Sequence, residues 1–167
     1  MNFDQAFERL IGHEGGFSDR REDRGNWTSG HVGVGQLNGT KYGISAMTYP
    51  GEDIAGLTLA RAKEIYRRDF WGPAGCDLVP DAAKFDLFDM AVNSGVSRSV
   101  KTLQEAVGAT PDGSIGPVTM QAISNMPGPR LVARFNGRRL KFMTDLATWE
   151  SFGKGWARRI AANLMEA

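Results

Sequence analysis

Asn2-Phe3-Asp4-Gln5-Ala6-Phe7-Glu8-Arg9-Leu10-Ile11-Gly12-His13-Glu14-Gly15-Gly16-Phe17 opens the chain on a helical period and closes that period on glycines. Phe3, Phe7, Leu10 and Ile11, with Ala6 between them, recur three and four residues apart, which places them on one face of a helix. Asn2 and Gln5 stand three residues apart, as in a capping box, where each side chain satisfies the other's backbone N–H. The spacing predicts an amphipathic helix over residues 3–14, ended by Gly15-Gly16.

The same period returns through most of the chain. Thr58 is placed to cap a helix carrying Ile65, Tyr66, Phe70 and Trp71. Pro80-Asp81 opens another with Phe85, Phe88, Ala91 and Val92, stopping at Asn93-Ser94-Gly95. Ser97 is expected to cap a third, with Val100, Leu103 and Val107, closed by Gly108 as the left-handed residue past its end. Gly116-Pro117 puts proline in the first turn of a short helix. Two longer helices follow over about 129–147 and 150–165, the second bearing Phe152, Trp156, Ile160 and Leu164.

One stretch breaks the pattern. Six glycines fall between Gly25 and Gly43, and His31-Val32-Gly33-Val34-Gly35-Gln36-Leu37 alternates only long enough for a small hairpin. The expected fold class is therefore mainly α, with a small glycine-rich β-hairpin lobe near the N-terminus, at about 19–45.

The chain's 167 residues suffice for one sizeable core and leave little room for two ordinary independent domains. Hydrophobic content of 41% and charged content of 23% exclude a disordered chain, and no apolar run approaches the ~20 residues of a membrane span. The first residues carry neither a basic segment nor an apolar one after it, so the expectation is synthesis in a cytoplasm without a signal peptide. Charge is uneven: residues 130–167 hold eight Lys/Arg against three Asp/Glu, and the remainder twelve against sixteen. A basic end favours an anionic envelope surface or nucleic acid, or is simply a solvated helix face.

Two histidines and one cysteine make a poor metal inventory, and His13, His31 and Cys76 form no ligand spacing. No metal and no cofactor are expected. Gly33-Val34-Gly35 lacks the rest of a dinucleotide fingerprint, and neither G-x-S-x-G nor a P-loop occurs. Carboxylates remain. Glu14, at the end of an apolar helix, meets the negative pole of the helix dipole and any burial there, and both favour its protonated form. A general acid needs that state near neutral pH. A solvated glutamate before a helix cap is the other reading of the same residues. Glycoside hydrolysis commonly uses a second carboxylate or a group that positions water. Asp19, Glu22 and Asp23 all lie in the following turn, and Asp23 is preferred because Arg24-Gly25-Asn26 implies a fixed turn.

Together these residues resemble family 108 of the glycoside hydrolases, N-acetylmuramidases that include phage endolysins and bacterial proteins once labelled secretion activators. The resemblance runs through Glu14-Gly15-Gly16-Phe17, Asp23-Arg24-Gly25-Asn26 and Thr40-Lys41-Tyr42-Gly43-Ile44-Ser45. It continues in Ala62-Lys63-Glu64-Ile65-Tyr66-Arg67, Phe70-Trp71, Phe88-Asp89-Met90-Ala91-Val92-Asn93-Ser94-Gly95 and Leu103-Gln104. It ends in Asp112-Gly113-Ser114-Ile115-Gly116-Pro117-Val118-Thr119 and Gly155-Trp156-Ala157-Arg158-Arg159.

The resemblance implies a lysozyme-like helical fold and hydrolysis of the β-1,4 bond from N-acetylmuramic acid to N-acetylglucosamine. It implies Glu14 as catalytic acid, with Asp23 and Thr40 completing the set as in related phage lysozymes. It divides the chain into a catalytic region, 1–95, and a helical C-terminal region, 96–167, expected to bind peptidoglycan. Tyr42, Asn93 and Trp71 are candidate substrate contacts. Asn93 is equally explained by a hydrogen bond at a helix end, and Trp71 by a place in the core. The segment Trp27–Gly39 departs from the family, which runs almost directly from its Asp turn into Thr-Lys-Tyr-Gly-Ile; it either lengthens the sugar groove or decorates a hairpin.

The partner expected is bacterial peptidoglycan, met in the periplasm by a monomeric endolysin that a holin releases, with no nucleic acid and no stable membrane insertion. Three other readings compete. A lytic transglycosylase would leave 1,6-anhydro ends, and an envelope-binding or secretion-assisting protein would carry a vestigial Glu14. Nucleic-acid binding would use Arg130, Arg134, Arg138, Arg139, Arg158 and Arg159.

Overall fold

The computed structural model describes residues 1–12 and 16–166. Among them are seven α-helices and one two-stranded antiparallel sheet: α1 (Phe3–Ile11), β1 (Thr40–Lys41), β2 (Ile44–Ser45), α2 (Leu59–Tyr66), α3 (Asp81–Ser94), α4 (Val96–Val107), α5 (Pro117–Ser124), α6 (Gly128–Thr144) and α7 (Trp149–Met165). The mainly helical class with a small ribbon is as expected. The chain forms two compact units, Met1–Ala6 with Arg68–Ala167, and Phe7–Arg67.

The capping box at the start of α1 is present in both directions: Asn2 N–H donates to Gln5 Oε1 at 2.9 Å, and Gln5 N–H donates to Asn2 Oδ1 at 3.0 Å. α1 ends earlier than the apolar period predicts. Gly12 takes φ +59°, a left-handed conformation that halts a helix at little cost only at glycine.

In the unit of Phe7–Arg67, Phe7 meets Tyr66 edge to face at 5.4 Å, and Ile44, Ala46, Ile54, Leu57, Ala62 and Ile65 are buried with them. Thr58 caps α2 as its position predicts, accepting from Arg61 N–H at 3.1 Å. The ribbon lies a few residues later than the alternation placed it. Its two-residue turn is Tyr42-Gly43, with φ +50° and +74°, the positive pair that matches the twist of a tight hairpin. Residues 31–35 make turns and bends instead, because Gly33 and Gly35 turn to φ +80° and +78°, and of this stretch only Leu37 pairs, in a single antiparallel bridge with Trp27. Val32 and Val34 are more than half exposed, so this alternation has no core to face.

In the other unit, α3 is buried almost all round, with Phe85, Leu87, Phe88, Met90 and Ala91 in the core. α4 and α6 pack against it, and α7 packs on α6. Burial on several sides leaves α3 without the single apolar stripe of a surface helix. Phe3, Trp71 and Phe88 form a three-ring cluster with edge-to-face contacts at 5.4–6.0 Å.

α3 also carries two buried carboxylates. Asp89 pairs with Arg139 of α6 at 2.7 Å and with Arg159 of α7 at 2.7 Å, and Asn163 of α7 donates to Asp86 at 2.9 Å. Three helices are thus tied through charge as well as packing. Arg139 is wholly buried in this network, which removes it from the basic surface, whereas Arg159 joins Asp89 from the surface and stays 42% exposed. α4 begins at Val96, with Gly95 (φ +90°) rather than a side chain at its cap, and Ser97 falls inside its first turn. Gly108 closes α4 at φ +80°, and Pro117 opens α5, both where the sequence places them.

Candidate active site

The candidate residues fall in both units, and Glu14 lies outside the described residues, with His13 and Gly15 beside it. Within Phe7–Arg67 the organising residue is Asn26, which is fully buried. It ends a short 3₁₀ turn, Arg24–Asn26, whose N-cap is Asp23: the Asp23 Oδ1 accepts from Gly25 N–H at 2.8 Å. The fixed turn that Arg24-Gly25-Asn26 implied is therefore real, and Asp23 itself is exposed.

The Asn26 side chain then reaches two other segments. Its Nδ2 donates to the Arg20 carbonyl at 3.0 Å, and its Oδ1 accepts from Thr40 Oγ1 at 2.7 Å. Its backbone carbonyl accepts from Asn38 and Gly39 N–H, both at 3.0 Å. The consequence for the inserted segment is direct. Residues 27–38 loop out from a base closed at Asn26 and Gly39, so the extra chain length does not carry Thr40 away from the Asp23 turn. Thr40 is further held from both sides, pairing with Ser45 across the ribbon and with Ser18 through two backbone bonds of 2.8 and 2.9 Å.

Tyr42 sits at the ribbon's turn, half-buried, and its carbonyl accepts from the Tyr66 hydroxyl at 3.0 Å. That contact explains Gly43, since a Cβ there would collide with the same hydroxyl. Asp23, Thr40 and Tyr42 thus belong to one hydrogen-bonded lobe.

Asn93 and Trp71 belong to the other unit. The Asn93 side chain is exposed, and its Nδ2 donates to the Asp89 carbonyl at 2.7 Å and to Asp89 Oδ1 at 3.1 Å. The helix-end hydrogen bond is therefore present, and it ties the amide to a carboxylate already held by Arg139 and Arg159. Trp71 is 1% exposed inside the Phe3–Phe88 cluster. Its ring faces are taken by core packing, which corrects the expectation that it stacks on sugar; spacing alone could not tell these uses apart.

Elsewhere the chemistry is structural. Burial pushes the Cys76 thiol well above its ordinary pKa, with Asp77 adding to the shift, so it is not a thiolate nucleophile. Among the described residues no group of three His, Cys, Asp or Glu is placed to hold a metal, and no helix is long and apolar enough to cross a membrane. Buried Gln104 organises the Asp112-Gly113-Ser114 turn, donating to Asp112 Oδ1 at 2.7 Å and the Ser114 carbonyl at 2.9 Å, and accepting from Gly113 N–H at 2.8 Å. The bond from Gln104, with one from Ser114 N–H at 2.8 Å, holds the Asp112 carboxyl below its usual pKa. Asn26 and Gln104 were not singled out in advance, because an amide inside a loop or helix gives no sign of burial.

Comparison with known proteins bears on the family and the fold. The family model described as Glycosyl hydrolase 108 matches residues 7–95, and that described as Predicted Peptidoglycan domain matches residues 98–161. No curated protein matches significantly. Among solved structures, SagA of Brucella abortus is similar with a TM-score of 0.81 and 30% identity, over 98% of this chain and 92% of that one. The fold is lysozyme-like. With the first family model spanning more than half of the chain, the protein belongs to glycosyl hydrolase family 108 and is a glycoside hydrolase of peptidoglycan.

Proposed function

We propose that the protein is an N-acetylmuramidase that cleaves the β-1,4 bond between N-acetylmuramic acid and N-acetylglucosamine, and that it serves as a phage endolysin. The observation that carries this reading is the Asn26 clamp, which joins the Asp23 turn to Thr40 despite the inserted loop. It supports a catalytic lobe of family type within residues matched by the glycosyl hydrolase model.

In this mechanism Glu14 gives its proton to the glycosidic oxygen as the bond breaks. Asp23, exposed and with one oxygen committed to Gly25 N–H, offers its other oxygen to stabilise positive charge at the anomeric carbon or to orient water. Thr40, whose hydroxyl proton goes to Asn26, presents its oxygen lone pairs to the attacking water. Synthesis in the host cytoplasm, release through a holin and action as a monomer on the periplasmic wall complete the proposal.

The experiment is lysis of purified peptidoglycan by wild type and Glu14→Gln, with mass spectrometry of the fragments. The expected result is loss of at least about a hundredfold in rate for the variant and reducing muramic acid ends from the wild type. Equal lysis by both proteins overturns the assignment of Glu14. Fragments ending in 1,6-anhydromuramic acid make the protein a lytic transglycosylase instead.

A further inference from the structure

The loop that departs from the family contributes to a concavity. Leu37 and Asn38, from the end of that loop, line an open cleft of about 210 Å³ with Phe17, Asp53 and Ile54. All lie in the unit of Phe7–Arg67. Phe17 lines this cleft with a ring that is 45% exposed. The ring is held in place from below. Gly39 is at φ +84°, and a Cβ there would overlap Phe17 Cε2 and Cζ, so the ring rests on the bare glycine backbone. The platform is thus built before any ligand arrives, which lowers the ordering cost of binding.

The other lining groups match one kind of ligand. The Asn38 side-chain amide makes no hydrogen bond among the described residues, while its backbone N–H is used by Asn26. A free amide both donates and accepts, as recognition of hydroxyl and acetamido groups requires. Glu52, also on the lining, is neutralised by Arg61. Asp53 keeps one oxygen on Gly56 N–H at 3.0 Å and leaves the cleft with a negative edge. That edge disfavours a carboxylate-bearing ligand. The volume falls below the ~300–1,000 Å³ of sites that enclose drug-sized ligands, and suits a single ring of a chain that continues outside.

We propose that this cleft is a saccharide subsite for a neutral N-acetylglucosamine residue, built by Phe17 together with the inserted loop. The sugar's C–H face stacks on Phe17, and Asn38 hydrogen-bonds its hydroxyl or acetamido groups. The inference rests on the muramidase reading for its biological substrate, yet its test is a binding test and needs no turnover.

Titrate the Glu14→Gln protein with a tetramer of β-1,4-linked N-acetylglucosamine, following the Phe17 ring, Leu37 methyl and Asn38 amide signals by NMR. The expected result is saturable shifts at these three residues. Adding Phe17→Ala weakens the Kd about tenfold and Asn38→Ala several-fold, while Phe17→Trp retains affinity. Thermal melts of each variant establish that it is folded; because Phe17→Trp keeps an aromatic at this position, its retained binding separates stacking from damage to the lobe. Shifts confined to other residues, or a Kd unchanged in folded Phe17→Ala, overturn the subsite. Neither result depends on whether Glu14→Gln abolishes lysis, so failure of the subsite and failure of the muramidase reading are told apart.

Discussion

Asp89, in the middle of α3, places its carboxylate 2.7 Å from Nη2 of Arg139 on α6, and both side chains are wholly inaccessible to solvent. Arg159 of α7 closes on the other carboxylate oxygen. A buried pair of this kind is held by the mutual attraction of its two charges, since each ion alone would face a large desolvation penalty. It also means that the two arginines bind the last two long helices to the first helix of the bundle.

Removing one ion should therefore be far worse than removing both. Asp89→Ala is expected to cost about 3–5 kcal/mol by leaving Arg139 buried and uncompensated. The double variant Asp89→Leu/Arg139→Met should lose less than the sum of the losses of its component singles, Asp89→Leu and Arg139→Met. Urea unfolding of the three variants measures this, and additive losses would show that the pair is not coupled.

Asp86, one turn before Asp89, gives a dependence on pH. Burial pushes its carboxyl pKa up, against the opposing hydrogen bonds of Asn136 and Asn163 and the charge of Arg139. An acid whose native pKa is raised holds its proton better folded than unfolded. Its favourable contribution is complete below the ordinary carboxylate pKa of about 3.9 and is lost as pH rises through the raised native value. Asp86→Asn carries no such titration. The variant should gain stability relative to wild type between pH 4 and pH 7, as read from paired urea melts, and a difference that stays flat with pH refutes the account.

The bond from Thr40 Oγ1 to Asn26 Oδ1 separates a structural from a catalytic use of the same hydroxyl. Thr40→Val leaves the buried Asn26 oxygen without its donor and should cost about 1–3 kcal/mol. Thr40→Ser keeps the donor and should stay within about 1 kcal/mol of wild type. If Thr40 also orients water, Thr40→Val should lose activity even at temperatures where it remains fully folded, and Thr40→Ser should retain most of it. Unfolding curves and peptidoglycan lysis rates on the same samples decide between the two.

The helices were legible because their signals are local. Asn2 and Gln5 satisfy one another across three residues, Thr58 caps its own helix, and Gly108 and Pro117 act within a single turn. The hairpin was legible only in kind. Alternation at residues 31–37 looked like a strand, yet a strand needs a face to bury, and Val32 and Val34 have none. The ribbon formed where Tyr42-Gly43 supplied the turn and Tyr66 closed over it.

The sequence by itself determined the helical plan and, through its blocks of family resemblance, the reading of Glu14, Asp23 and Thr40 as a set. Tertiary structure alone decided that the extra loop is closed at Asn26 and Gly39, that Trp71 is core, and that Arg139 and Arg159 both close on Asp89. The reason is range. Helix periods, caps and turns act over three or four residues and can be read along the chain, whereas Arg139 and Asp89 lie fifty residues apart in sequence and meet only when α3 and α6 pack.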